Sequence, residues 1–242
     1  MKAYERWDSH RLGHPIGLAR WGHFGTPVLV FPTAGGDAEE IERHGMVGAC
    51  QPLIDAGRIK LYSCDSVAGQ AMVSGAGSVE WRLSLLNRFF DAVRHEVLPA
   101  MWADSGGQET PVITAGASIG AFNAVATLCR HPESIGAAVG MSGSYTIERF
   151  YGGAWTKDLY FASPLQFVPQ LNGPVLDLLR SRFAIIATGS GAWENTGESW
   201  KIGAALGERG IPNRVDDWGP EWEHDWHTWR AMLPKYLDEL VS

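Results

Sequence analysis

The stretch Pro111-Val112-Ile113-Thr114-Ala115-Gly116-Ala117-Ser118-Ile119-Gly120 decides how this chain is read. Its first six residues form a short apolar run of the kind that makes a fully buried strand. Gly120 to Cys129 reads as a helix rich in small residues. Between them Gly116-Ala117-Ser118-Ile119-Gly120 matches G-x-S-x-G, a serine framed by glycines at a strand-to-helix turn. The physics requires that context. A hydroxyl lifted clear of a sheet needs a sharp, strained turn, with glycine wherever a Cβ would collide with the neighbouring strand and helix. At the helix N-terminus the dipole and free N–H groups favour developing negative charge. A chain of 242 residues with 29 glycines can produce the bare pattern by chance, so it is the strand–turn–helix setting that makes Ser118 a candidate nucleophile.

Outward from this turn the same grammar repeats. Val28-Leu29-Val30-Phe31-Pro32 empties into Thr33-Ala34-Gly35-Gly36-Asp37, with a helix expected from about Ala38 and Asp37 as its N-cap. Ile59 to Cys64, Ala137 to Ser142, Arg182 to Thr188 and Asn213 to Trp218 read as further strands. Helical spacing predicts a long amphipathic helix over Trp81 to Met101, capped by Ser78, and helices over Ser199 to Gly207 and Trp226 to Val241. Strands that are continuous apolar runs, alternating with helices, predict an α/β chain whose mostly parallel central sheet is covered on both faces. Residues 144–180 break the alternation: Tyr145, Phe150, Tyr151, Trp155, Tyr160, Phe161 and Phe167 show little period. The segment is expected to be an aromatic-rich insertion over the carboxyl edge of the sheet, where ligands bind in such folds. No repeat, low-complexity stretch or linker marks a second domain, so residues 1–242 are expected to form one.

Composition excludes several classes of function. Hydrophobic residues make up 45% and charged residues 19%, enough apolar material for one sizeable core. The net charge of −7 is broken by no Lys/Arg block, so a nucleic-acid role has no electrostatic footprint. Met1 to Asp8 has mixed charge and no apolar core of a signal peptide, and the longest apolar runs fall far short of the roughly 20 residues that span a bilayer. Cys50, Cys64 and Cys129 are too scattered for a disulfide framework or a metal knuckle. A cytoplasmic chain with reduced thiols, no cofactor and no membrane partner is expected. Oligomeric state leaves no signal.

A serine hydroxyl needs a base, itself oriented by an acid. In the α/β-hydrolase arrangement of this elbow the chain order is serine, acid, histidine, which restricts the base to His131, His224 and His227. His131 precedes Pro132 and reads as a surface turn. His224 falls on the loop before the last helix, whereas His227 falls in that helix's first turn, so His224 is the expected base. A metal site built from His224, Asp225 and His227 matches zinc spacings poorly. Glu194, after the strand ending at Thr188, is the expected acid, with Asp216 and Asp217 as alternatives; Glu198 reads as part of the next helix. The oxyanion hole needs two backbone donors: one from Ile119, the other from Ala34 or its neighbour Thr33, where Gly35 and Gly36 allow close approach. Thr33, Trp155, Trp193 and Trp222 are candidates to contact substrate, though such tryptophans are as often plain core.

Together these residues resemble the esterase D group of α/β-hydrolases, which includes S-formylglutathione hydrolases, feruloyl esterase domains and mycobacterial mycolyltransferases. The likeness rests on Gly116 to Gly120, on Met141-Ser142-Gly143-Ser144-Tyr145, on Thr188-Gly189-Ser190-Gly191 leading to Glu194, and on His224-Asp225-Trp226 with Trp229. It departs at Phe31-Pro32-Thr33-Ala34-Gly35-Gly36, where many esterases carry a His-Gly pair. The resemblance implies an α/β-hydrolase fold and two-step hydrolysis of a small-molecule ester without a cofactor. The alternatives are an acyltransferase, in which an alcohol replaces water at the second step, and a non-catalytic relative that binds a ligand or a partner protein.

Overall fold

The apolar runs pair in parallel and are buried on both faces, as their lack of alternation dictates. The computed structural model describes residues 1–153 and 155–241. Ala154, inside the expected 144–180 insertion, and Ser242, at the end of the expected 1–242 domain, lie outside the described residues. The strands are β1 (Lys2–Ser9), β2 (His14–Trp21), β3 (Thr26–Phe31), β4 (Ile59–Cys64), β5 (Val112–Ala117), β6 (Ile135–Met141), β7 (Phe183–Thr188) and β8 (Asn213–Asp217). Among the described residues they form one sheet in the order β1-β2-β4-β3-β5-β6-β7-β8. Pairing is antiparallel from β1 to β2 and from β2 to β4, and parallel everywhere else.

Successive side chains of a strand point to opposite faces, and the sheet accordingly separates two cores. Leu29, Phe31, Tyr62, Ala184 and Ile186 enter one; Val28, Val30, Leu61, Ile185 and Ala187 enter the other. The antiparallel β1–β2 hairpin was not expected from the sequence. The mixed-charge β1 is mostly exposed and is held by edge pairing from Lys2↔Trp21 to Ser9↔His14, so its strand character comes from backbone hydrogen bonds rather than an apolar pattern.

The helices are α1 (Glu40–Arg43), α2 (Met46–Asp55), α3 (Val67–Ser74), α4 (Val79–Ala92), α5 (Leu98–Asp104), α6 (Ile119–Arg130), α7 (Lys157–Ala162), α8 (Pro164–Phe167), α9 (Gly173–Leu179), α10 (Thr196–Gly207) and α11 (Trp226–Leu240). α1, α2 and α11 cover one face; α3 to α10 cover the other. The helix expected from Ala38 starts at Glu40 and breaks at Gly45, whose φ of 75° leaves the helical region. Asp37 does not cap it; its carboxylate accepts from the Glu39 N–H at 2.9 Å. The helix expected over 81–101 begins behind Ser78, whose Oγ accepts from the Trp81 N–H at 3.2 Å. It passes through a π turn at Val93–Val97 before continuing as α5. Pro99 lacks an N–H and its ring crowds the preceding turn, and the widened turn lies directly ahead of it.

The 144–180 segment packs α7 on α4 and α8 on α6 and α10. Tyr145, Tyr151 and Phe167 are buried in the same core as α6, so its aromatics chiefly anchor the segment to these helices. Its first turn, Ile147–Tyr151, borders the serine turn. Among the described residues no helix is long and apolar enough to cross a membrane.

Candidate active site

Parallel register puts several strand ends at one level: Ala117 pairs with Met141, Met141 with Ala187, and Ala187 with Asp216. Ser118, Ser142 and Thr188 therefore follow side by side at the carboxyl edge. Ser118 has φ 56° and ψ −120°, a conformation that L residues adopt at a cost of about 1–3 kcal/mol. Its N–H donates to the Met141 carbonyl at 2.9 Å and its own carbonyl accepts from the Ser144 N–H at 3.2 Å, so β6 and the chain beyond it hold the turn. The two glycines are required for space. A Cβ on Gly116 would sit 2.4 Å from the Gly120 backbone, and one on Gly120 would sit 2.4 Å from the Phe31 carbonyl oxygen. Helix α6 thus lies directly against the end of β3, where the loop from Thr33 to Asp37 begins.

Glu194 follows β7 by way of Gly189 and Gly191, where a Cβ would meet the Trp222 backbone. Its carboxylate is 1% exposed. Oε2 stands 3.6 Å from His224 Nδ1, an ion-pair separation longer than a formed hydrogen bond. Oε1 accepts from Ser142 Oγ at 2.5 Å and from the Gly189 N–H at 3.4 Å. Ser142 Oγ in turn accepts from Trp229 Nε1 at 2.9 Å. The indole of Trp229 meets the His224 ring edge-on at 5.1 Å, and the His224 N–H donates to the Ala192 carbonyl at 3.0 Å. The candidate base and acid are therefore linked by one chain of contacts, Trp229–Ser142–Glu194–His224.

The other candidates are engaged elsewhere. Asp216 pairs with Arg214 and accepts from Tyr236, and Asp217 accepts from the Gly219 N–H. His227 stacks on Trp222, and Asp225 caps α11. Among the described residues no group of His, Cys, Asp and Glu converges as a metal site. His131 is largely buried at the end of α6, and burial pushes its imidazole down to about 4. The thiols are not competing nucleophiles: all three cysteines are buried, and burial pushes Cys50 and Cys129 up to about 12.

The candidate oxyanion loop after β3 is pinned by Glu40, a residue with no sequence signal for this position. The buried Glu40 carboxylate accepts from the Thr33 N–H at 2.7 Å and from Thr33 Oγ1 at 2.8 Å. That consumes the Thr33 amide and leaves Ala34 as the loop's candidate donor beside Ile119. Asp65 ties the far side of the loop through the Ala38 N–H at 2.9 Å. Ser142 also acquires a role that its place in the Met141 to Tyr145 motif did not disclose; a role fixed by three distant elements has no sequence signal. Trp155 and Trp193 are exposed, while Trp222 is half-buried and packs edge-on against Trp218.

No family model and no curated protein matches the chain. Solved structures do match. A ferulic acid esterase aligns with TM-score 0.76 and 17% identity over 100% of this chain and 98% of that one. An S-formylglutathione hydrolase from Agrobacterium tumefaciens aligns with TM-score 0.75 and 12% identity over 100% of this chain and 94% of that one. FphF, a fluorophosphonate-binding serine hydrolase of Staphylococcus aureus, aligns with TM-score 0.66 and 12% identity, covering 100% and 98%. At such identities the likeness establishes architecture, and it falls on the group that the motifs resemble: the chain has the α/β-hydrolase fold of the feruloyl esterases and S-formylglutathione hydrolases.

Proposed function

We propose that the chain is a serine esterase with Ser118 as nucleophile, His224 as base and Glu194 as acid. The observation that carries this reading is the strained Ser118 turn set in register with the Trp229–Ser142–Glu194–His224 chain. His224 removes the Ser118 proton as Oγ forms a bond to the ester carbonyl carbon. The oxyanion is held by the N–H groups of Ile119 and Ala34. The C–O bond to the alcohol then breaks, and His224 returns the proton to the leaving oxygen. Water, deprotonated by the same imidazole, attacks the acyl-enzyme, which releases the acid and Ser118. Glu194 keeps the proton on Nδ1 and stabilises the imidazolium. The names of the structural neighbours, a ferulic acid esterase, an S-formylglutathione hydrolase and a fluorophosphonate-binding serine hydrolase, support acyl-group hydrolysis at this edge of the sheet.

A fluorophosphonate probe tests the assignment directly. It should label Ser118, fail on Ser118→Ala, and react far more slowly with His224→Ala. Glu194→Gln should lower kcat for p-nitrophenyl acetate by about 10³–10⁴-fold, because the imidazole loses its tautomer. Labelling that persists in Ser118→Ala, or is unchanged in His224→Ala, rules the mechanism out.

A further inference from the structure

Beside the serine turn lies a small cavity lined by Ala68, Gly69 and Met72 of α3, Ile119 and Asn123 of α6, and Tyr151 of the insertion's first turn, with other apolar residues. Its place relative to the proposed chemistry is fixed from two sides. Ile119, the first proposed oxyanion donor, forms part of the wall. Gly69 packs so closely on Ala34, the second, that a Cβ there would sit 2.4 Å from the Ala34 carbonyl oxygen. Both proposed donors thus border the gap between α3 and α6.

One wall residue is out of keeping with the rest. Asn123 lies one turn beyond Ile119, on the same face of α6. It is 2% exposed, and its Oδ1 has no hydrogen-bond partner among the described residues. A buried amide oxygen left without a partner is costly unless a ligand supplies one. The free space is about 10 Å³, room for roughly one water-sized group. A carboxamide both donates and accepts, as does a hydroxyl, so the two match whichever way the amide is turned.

The geometry points to Asn123 as a specificity residue that selects esters of short 2-hydroxy acids, the acyl hydroxyl occupying the cavity and bonding to the carboxamide. This rests on Ser118 being the acylated residue. It adds what the catalytic machinery by itself does not choose: a two- or three-carbon acyl group, with one polar atom next to the carbonyl.

Phenyl glycolate and phenyl propionate provide the test, because their acyl groups differ only by OH in place of CH3. Each kcat/KM is divided by the rate of hydroxide-catalysed hydrolysis, which removes intrinsic reactivity. The wild-type enzyme should favour glycolate about tenfold. Asn123→Leu, which fills a similar volume without polarity, should reverse that preference and leave fluorophosphonate labelling of Ser118 intact. Asn123→Ala, which adds no bulk, should bring the ratio close to one and covers the case in which the leucine variant misfolds. A glycolate-to-propionate ratio within twofold of the wild-type value in variants that still label overturns the inference; in that case Asn123 holds only a water. Loss of labelling in the wild-type enzyme would instead overturn the assignment of Ser118.

Discussion

Ser142 shows at the scale of one residue how the site depends on groups that never touch a substrate. Its φ of 49° is in the left-handed region, its N–H donates to the Ala187 carbonyl at 2.8 Å, and its Oγ joins Trp229 to Glu194. Removing that hydroxyl strands a buried indole N–H, at a cost of about 1–3 kcal/mol, and leaves Glu194 Oε1 with the Gly189 N–H at 3.4 Å. Ser142→Ala should lower kcat by about 10–100-fold with little change in KM. Ser142→Gly separates the hydroxyl from the backbone: glycine relieves the positive φ, so if strain alone mattered it would retain activity. Steady-state kinetics of the two variants decide between these outcomes, and equal losses support the hydroxyl.

At the scale of elements the decisive contact is α6 against β3. The turn G-x-S-x-G is legible because chain geometry demands it locally, yet what its second glycine avoids is the pair of carbonyls of Phe31 and Pro32, 2.4 and 2.6 Å from a Cβ placed at residue 120. Those carbonyls lead into the loop that Glu40 and Asp65 pin. Gly120→Ala should therefore push the end of β3 and the proposed oxyanion loop away from the serine. The expected cost is about 1–3 kcal/mol in urea unfolding, together with an activity loss larger than the change in folded fraction. Wild-type activity in that variant would show that the loop position is immaterial. Glu40 itself was out of reach of the sequence, since a glutamate at a helix start normally reads as a solvated first-turn acid. Only the loop's return over that helix makes its carboxylate a clamp.

For the whole molecule, burial of one histidine makes stability respond to acid. Burial in the α6 face, with Arg130 nearby and Glu133 at 3.8 Å opposing it only weakly, holds His131 neutral and pushes its pKa down to about 4. In the unfolded chain the same imidazole titrates near the usual 6.5. Above that value neither state binds the proton and His131 has no effect. As pH falls from 6.5 towards 4 the unfolded state takes up a proton that the folded state refuses, so stability falls with pH. Between pH 7 and 5 the loss assigned to this one group is about 2 kcal/mol. His131→Gln, which cannot titrate, should lose that much less over the same interval, measured by urea unfolding at the two pH values. Parallel slopes for the two proteins would place the acid sensitivity elsewhere.

The amino-acid sequence by itself determined the parallel strands, the serine turn and the order of serine, glutamate and histidine along the chain. Each follows from local rules: continuous apolar runs are buried on both faces, a G-x-S-x-G turn needs glycine on either side, and a base after the last strand lands on the edge loop. Tertiary structure alone decided the β1–β2 hairpin, the π turn ahead of Pro99, the Glu40 clamp on Thr33, and Ser142 as the link from Trp229 to Glu194. Ser142 and Trp229 are 87 residues apart in sequence, and Ser142 and Glu194 are 52 apart. No local pattern can encode a hydrogen bond over such separations, because its partners exist only once the sheet has brought the ends of its strands to one level.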